Sequence, residues 1–233
     1  MKKAFVFMLI LALAFVLPAC GVSAKQEAAP APAATPAPAQ TQEPVSTPEP
    51  TPVPEPEPLV KIEGNTITVK DDGTGESSNQ NGMQKTVVLT NRNIGYAGTC
   101  GTFKYEVQGI QIAKIKASGD AATMMGIEPD QEAVLVAIQM AAENTSSEDM
   151  NWNPYMSTIV TSSKEQVSSN WLLSDQVGGE FLGNVVKQGQ IYFICKNTNA
   201  DDLNHIQWRI EAPYNKNFEN AGDEVTIEIN LTK

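Results

Sequence analysis

The stretch TFKYEVQGIQIAKI, residues 102–115, decides the fold of this chain. Its apolar and polar residues alternate up to Gln108, and a period of two is typical of a β-strand with one buried face. Gly109 then breaks the alternation, which predicts a β-bulge at that position. Beyond the bulge the apolar residues resume. The expected buried face of this strand consists of Phe103, Tyr105, Val107, Ile110, Ile112 and Ile115.

The same period recurs elsewhere in the chain. It appears in EAVLVAIQM (132–140), HIQWRIEA (205–212) and EVTIEINL (224–231). In contrast, QIYFICK (190–196) is apolar throughout, which is typical of a central strand covered on both faces. Weaker strand patterns lie at residues 61–69, 86–90, 157–161 and 167–172.

Turn-rich stretches separate these strands, and only GDAATMMGIEP (119–129) has the character of a short helical turn. The pattern predicts an all-β domain over residues 59–233, with about 7–9 strands in an antiparallel sandwich. A β-barrel is the alternative architecture. We expect Trp171 and Trp208 to lie in the core.

The N-terminus carries the pattern of an export signal. A basic start is followed by an apolar run to Leu17, shorter than the roughly 20 residues of a membrane-spanning helix. LPACG (17–21) then resembles the lipobox of bacterial lipoproteins. The resemblance implies that residues 1–19 are a lipoprotein signal peptide. It also implies that Cys20 carries a diacylglycerol, which holds the exported protein on the extracytoplasmic face of the cell membrane. The alternative is an ordinary secretory signal with a chance cysteine.

Residues 20–58 differ sharply from the rest of the chain. They hold most of the 15 prolines, interspersed with Ala, Thr, Glu and Gln, and this composition is unable to form a packed core. Proline-rich segments favour semi-rigid polyproline II structure. We expect a disordered stalk that carries the following domain away from the membrane. The alternative is a proline-rich ligand for a partner domain.

The net charge and the residue types present argue against several classes of function. The formal net charge of −11 disfavours a nucleic-acid partner, because phosphate binding needs clustered lysines and arginines. The chain has a single histidine, His205. The alternation of its strand places this residue on the outer face, so we expect an exposed surface histidine and not a catalytic one. No nucleophile, zinc or P-loop motif occurs in the sequence. We therefore expect neither an enzyme nor a cofactor.

A resemblance covers about residues 103–213. The strand YEVQGIQI, the segment EAVLVAIQMAAENTSSED and the turn-like KQGQ before IYFICK resemble the immunoglobulin-like domain of uncharacterised Gram-positive surface lipoproteins. The fold type is similar to that of a secreted mycobacterial immunoprotective antigen. The proline that this family usually has in the turn is missing at Val186–Gly189. The resemblance implies an immunoglobulin-like fold and a surface location, and it supplies no catalytic residues.

Two cysteines remain in the exported domain, where disulfides are permitted. Cys100 lies just before a predicted strand and Cys195 inside one. They form either a single bridge or two free thiols, with Cys195 buried as a small hydrophobe.

The loop MNWNPYM (150–156) is a candidate recognition loop. Trp152, Asn153 and Tyr155 are residue types that recognition surfaces use. Alternatively, one or both rings cap the core. Three acidic loops offer carboxylate oxygens of the kind that calcium prefers, but such loops are usually solvated, and we expect no metal there. Their carboxylates are Asp71, Asp72, Glu76, Glu148, Asp149, Asp201 and Asp202.

Three classes of function fit the sequence. The favoured one is a non-catalytic binding or adaptor module, displayed on the stalk to hold an envelope or extracellular protein. The second is a surface receptor for a small ligand or calcium. The third is an envelope hydrolase, for which the sequence offers no acid and base to assign.

Overall fold

The computed structural model describes residues 57–233. The predicted signal peptide, the lipidation site Cys20 and nearly all of the predicted stalk lie outside the described residues. Within residues 57–233, no helix has the length and apolar character that crossing a membrane requires.

The described residues form 15 strands, one α-helix, α1 (Gly119–Met125), and a turn of 3-10 helix at Pro154–Met156. The strands are β1 (Val60–Glu63), β2 (Thr66–Lys70), β3 (Ser78–Gln80), β4 (Met83–Asn91), β5 (Tyr96–Cys100), β6 (Phe103–Ala117), β7 (Glu132–Asn144), β8 (Met150–Trp152), β9 (Thr158–Thr161), β10 (Gln166–Ser168), β11 (Gly179–Phe181), β12 (Val186–Cys195), β13 (His205–Ile210), β14 (Tyr214–Asn215) and β15 (Val225–Thr232).

These strands form two large sheets and one small sheet. The first sheet has the order β1-β2-β15-β13-β9-β10 and the second β12-β7-β6-β4-β3, with β5 also paired to β6. The small sheet has the order β11-β8-β14. Pairing between strands is antiparallel except for the parallel pair β2 and β15. The predicted all-β class is confirmed, whereas the predicted count of 7–9 strands was too low. The immunoglobulin-like connectivity stays a prediction.

One large apolar cluster fills the space between the two large sheets. Alternation in β13 points Ile206, Trp208 and Ile210 inward, as predicted, and all three are fully buried. The indole Nε1 of Trp208 donates to Ser157 Oγ over 2.7 Å, so its polar atom is satisfied. Because Ile67 and Ile229 join the same cluster, strands outside residues 103–213 contribute to this core.

The bulge predicted in β6 is confirmed. The register of β6 against β7 shifts between Val107 and Gly109. A side chain at Gly109 would place its Cβ 3.1 Å from the carbonyl oxygen of Asn91, a tight contact, so this close approach favours glycine. The prediction of a single buried face is wrong for Ile115. Ile115 faces the opposite side of the sheet from Ile112, and both are buried.

A second, smaller apolar cluster explains the two buried faces. Helix α1 covers the outer face of the second sheet and ends at Gly126, whose left-handed conformation closes the helix. The cluster comprises Ala113, Ile115, Ala117, Ala122, Ile127, Ala133, Leu135 and Ile194. Strand β12 is therefore covered on both faces although it lies at the edge of the sheet, not at its centre as predicted. The predicted turn KQGQ also lies inside β12.

Candidate functional site

An open groove crosses the outer face of the second sheet. It has a volume of about 650 Å³ and is lined by β4, β6, β7 and β12. Its floor lies where Ala137 of β7 pairs with Gln111 of β6 and with Tyr192 of β12. Because alanine extends only one methyl group from the sheet, the larger side chains around it leave a depression. This outer groove is the candidate functional site.

A chain of hydrogen bonds orders the polar part of the outer groove. Lys85 Nζ donates to Gln111 Oε1 over 3.3 Å, and Gln111 Nε2 donates to Thr90 Oγ1 over 3.0 Å. Lys85 is half-buried, and its ammonium group is the charged member of this series of hydrogen bonds. Across the groove, the Tyr192 hydroxyl donates to Gln190 Oε1. These contacts hold the amides and the ammonium group in fixed positions.

The outer groove is cationic although the whole chain is acidic. Its lining includes Lys85 and Arg92 and contains no aspartate or glutamate. The nearby carboxylate of Asp72 accepts from the hydroxyl and backbone N–H of Thr74 and from the backbone N–H of Arg92. Partial burial opposes ionisation there, but these hydrogen bonds and the Arg92 charge hold the pKa of Asp72 below its usual range.

Part of the lining of the outer groove is apolar. Met83, Met125, Leu135 and Leu173 line it, and all four belong to the smaller apolar cluster or pack against it. Burial, together with the charge of Asp175, raises the pKa of Tyr192, so its hydroxyl keeps its proton at neutral pH. The groove therefore combines apolar side chains with polar and cationic ones in one lining.

A second surface lies just outside this groove. The side chains of Met124, Trp171 and Leu172 are 49%, 65% and 59% exposed, and we call them the α1 patch. Asn170 joins the two segments that carry them, because its Nδ2 donates to the Met124 carbonyl over 2.8 Å. Trp171 was predicted to lie in the core, and that prediction is wrong.

The predicted recognition loop is largely built into the fold. Trp152 is fully buried, and its Nε1 donates to the Glu211 carbonyl over 2.8 Å. Tyr155 packs against the main core, and Asn153 Oδ1 accepts from the Gly179 N–H. Of the two alternatives for this loop, the Trp152 ring follows the one in which it joins the core, because β8 turns this residue inward among other aromatic rings.

Cys100 and Cys195 are both free and buried. Cys195 pairs with Val134 of β7, whereas Cys100 pairs with Phe103, which in turn pairs with Asn144 of β7. Those two β7 positions are ten residues apart (144 − 134), about 33 Å at the rise of a strand. A disulfide needs Cα atoms within about 7 Å, so the bridge is excluded by this geometry.

A chain carrying Cys20→Ala should therefore show two reactive thiols after unfolding without a reductant. In the folded chain both thiols should react slowly at pH 8, since burial raises the pKa of Cys100 and raises that of Cys195 to about 12. A colorimetric thiol titration makes the measurement. A count of zero in the unfolded, unreduced chain would contradict the free-thiol assignment.

The acidic loops serve local structure. Asp71 accepts from the Thr90 N–H over 2.7 Å, and Asp201 forms an ion pair with Lys114 over 2.6 Å. In the part of the chain that the structure describes, no three histidine, cysteine, aspartate or glutamate side chains come together as a metal site. His205 lies on the outer face predicted by its strand phase, where it pairs with Glu228 over 2.9 Å.

The fold and the groove define an all-β protein with two stacked sheets and an open cavity on one outer face. The chain is 30% identical over 142 residues to the SPbeta prophage-derived uncharacterized lipoprotein YonS of Bacillus subtilis strain 168. The match covers 54% of this chain and 70% of that protein, and this chain belongs to the same family. No family model matches the chain.

Solved structures resemble the fold at low sequence identity. A functionally unknown protein from Listeria monocytogenes EGD-e has a TM-score of 0.51 at 11% identity, covering 64% of this chain and 89% of that one. The yjhA protein of Bacillus subtilis has a TM-score of 0.40 at 12% identity, covering 61% and 100%. At this identity the Listeria structure supports the β-fold alone.

Proposed function

We propose that this protein is a cell-envelope lipoprotein that displays a non-catalytic domain for docking a protein partner. The exposed indole of Trp171 carries the proposal. Tryptophan is enriched among the residues that contribute most to protein interfaces, and a cluster of exposed apolar side chains is unusual on a monomer. The α1 patch supplies such a cluster on a rigid support.

The shape around the α1 patch suits a protein partner. Trp171, Leu172 and Met124 line a shallow depression, and Glu165, Gln166 and Lys196 belong to the same lining. Protein interfaces usually combine apolar side chains with polar and charged groups in this way. A membrane surface is disfavoured as the occupant, because the net charge of −11 is repelled by anionic lipids.

Anchoring follows from the N-terminal sequence and from the family. The relative YonS is named a lipoprotein, which supports acylation of Cys20 in this chain as well. Two acyl chains provide stable membrane attachment, since each buried methylene contributes about 0.8 kcal/mol. Residues 20–58 then hold the domain at a distance from the bilayer, and this arrangement suits a partner in the envelope or outside the cell.

Changing the α1 patch should remove the partner without unfolding the domain. The double variant Trp171→Ser with Leu172→Ser should reduce the amount of one co-purified envelope protein about tenfold or more, since interface tryptophans often contribute over 2 kcal/mol. The measurement is quantitative mass spectrometry of proteins purified with the full chain from cross-linked cells.

A matched control is Phe218→Ser, because Phe218 is 83% exposed and belongs to another loop. This variant should keep the partner. An unchanged protein set in the double variant would contradict the proposal. Binding of the purified chain to phospholipid vesicles, abolished by the double variant, would identify a lipid surface as the occupant and would also contradict it.

A further inference from the structure

We propose that the outer groove is a binding site for a small amphipathic organic anion, a carboxylate or phosphate attached to a short hydrocarbon chain. This inference is independent of the docking role proposed for the α1 patch. It rests on a lining that combines two cations, Lys85 and Arg92, with the apolar side chains of Met83, Met125, Leu135 and Leu173, and on the Lys85 ammonium group held at Gln111. Its volume of about 650 Å³ falls in the range of small-molecule sites.

Charge complementarity selects an anion. The lining carries two cations and no carboxylate, in a chain that has 27 acidic and only 16 basic residues. The neighbouring carboxylates of Asp72 and Asp175 already accept from the backbone N–H groups of Arg92 and Gln190. Lys85 Nζ donates to an amide oxygen at 3.3 Å, and no carboxylate pairs with it among the described residues. The ammonium group therefore retains donors for a ligand. An arginine at the rim adds the planar fork that matches carboxylate and phosphate oxygens.

Hydrogen-bonding groups next to the cations add orientation. Gln111 already bridges Lys85 and Thr90, so the position of its amide is set before a ligand arrives. Gln139 lies on the neighbouring strand, paired in register with Gly109 and with Gln190. Ordered donors of this kind lower the entropic cost of binding.

The apolar part of the lining selects a ligand with a hydrocarbon group. Met83 and Met125 approach from β4 and α1, and Leu173 approaches from the turn that follows Trp171. Methionine side chains adapt to irregular ligand shapes, because they are unbranched and flexible. A hydrocarbon group placed there removes apolar surface from water while the anionic head remains beside Lys85.

The test uses the full chain with Cys20→Ala and three probes of equal tail length: octanoate, octyl phosphate and the neutral octanamide. Isothermal titration calorimetry should show both anions binding about tenfold or more tightly than octanamide, as expected for a hydrogen bond to a charged group. The stronger of the two anions identifies the preferred head group. Equal affinity for octanamide and both anions would overturn the proposal.

Methionine methyl groups locate the bound probe. With ¹³C-methyl methionine, the NMR signals of Met83 and Met125 should shift on adding octanoate, whereas those of the core residues Met140 and Met150 should stay in place. Shifts confined to Met124 would place the probe on the α1 patch and overturn the assignment. An absence of shifts at millimolar probe would overturn it as well.

Two variants test the groove residues. Lys85→Met keeps a long, unbranched side chain, one atom shorter than lysine, but removes its charge, and it should weaken octanoate binding about tenfold. The matched control is Lys104→Met, on an exposed position of β6 outside the groove, which should leave the affinity unchanged. Ala137→Leu fills the floor and should abolish binding of all three probes. Full affinity in both groove variants would contradict the site.

Discussion

Replacing Trp152 with alanine should lower the free energy of unfolding by about 4 kcal/mol, the largest effect that we expect from a single substitution. The ring is fully buried and lies 5.1 Å from the ring of Phe103 and 5.7 Å from that of Tyr105, measured between centroids. Truncation leaves a cavity among these rings and also leaves the Glu211 carbonyl without its indole donor. Urea unfolding followed by circular dichroism measures the change.

Trp171 provides a matched control for this prediction. It is the same residue type but 65% exposed, so Trp171→Ala should change the free energy of unfolding by less than about 0.5 kcal/mol. Similar losses in the two variants would contradict the assignment of Trp152 to the core and of Trp171 to the surface. A stable Trp171 variant also makes loss of a partner interpretable as loss of contact.

Replacing Asn144 with alanine should lower the free energy of unfolding by about 3 kcal/mol, because several hydrogen bonds are lost together. Asn144 is fully buried at the end of β7. Its Nδ2 donates to the carbonyls of Glu148 and Gly183, and its Oδ1 accepts from the hydroxyl of Thr102 and from Ser146. One amide thus joins three segments of the chain.

The same unfolding assay tests Asn144 against Asn217, an exposed asparagine in a loop. Asn217→Ala should lie within about 0.5 kcal/mol of the parent chain. A small effect at Asn144 would mean that water replaces the lost amide, and the buried network would then contribute little to stability. The slope of the free energy against urea should be unchanged in both variants.

Long alternating stretches made part of the fold predictable. In β6, β13 and β15 a period of two extends over at least six residues, so inward and outward positions follow from the sequence. The bulge at Gly109 was equally visible, because a glycine interrupts an otherwise regular pattern. By contrast, β8, β11 and β14 have only two or three residues each, and tertiary partners determine whether such segments pair.

The two tryptophans show why the surface was harder to predict. In Met150–Trp152 the apolar residues flank a polar one, which was a signal for a short strand with one buried face. Trp171 is followed by two leucines without alternation, so residue type alone indicated a core position. Helix α1 and the turn that contains Trp171 both pack over the smaller apolar cluster on the outer face of the second sheet. Trp171 remains exposed because of this tertiary packing, which the local sequence does not specify.

The outer groove was not predictable for a related reason. Its polar residues Gln111, Gln139 and Gln190 lie on three strands that are distant in sequence, and each appears as an ordinary polar member of its strand. Cross-strand register brings them together, and register depends on bulges and turns along the whole sheet. The same registers separate Cys100 from Cys195, which sequence reasoning left as an open pair.

The most direct test of the proposed docking role is site-specific photocross-linking in living cells. A photoreactive phenylalanine analogue at position 171 of the full, membrane-anchored chain should capture one envelope protein in high yield. The same analogue at the exposed position 218 should not capture that protein. Capture of the same proteins from both positions, or of lipid alone from position 171, would contradict the proposal that the α1 patch docks a protein partner.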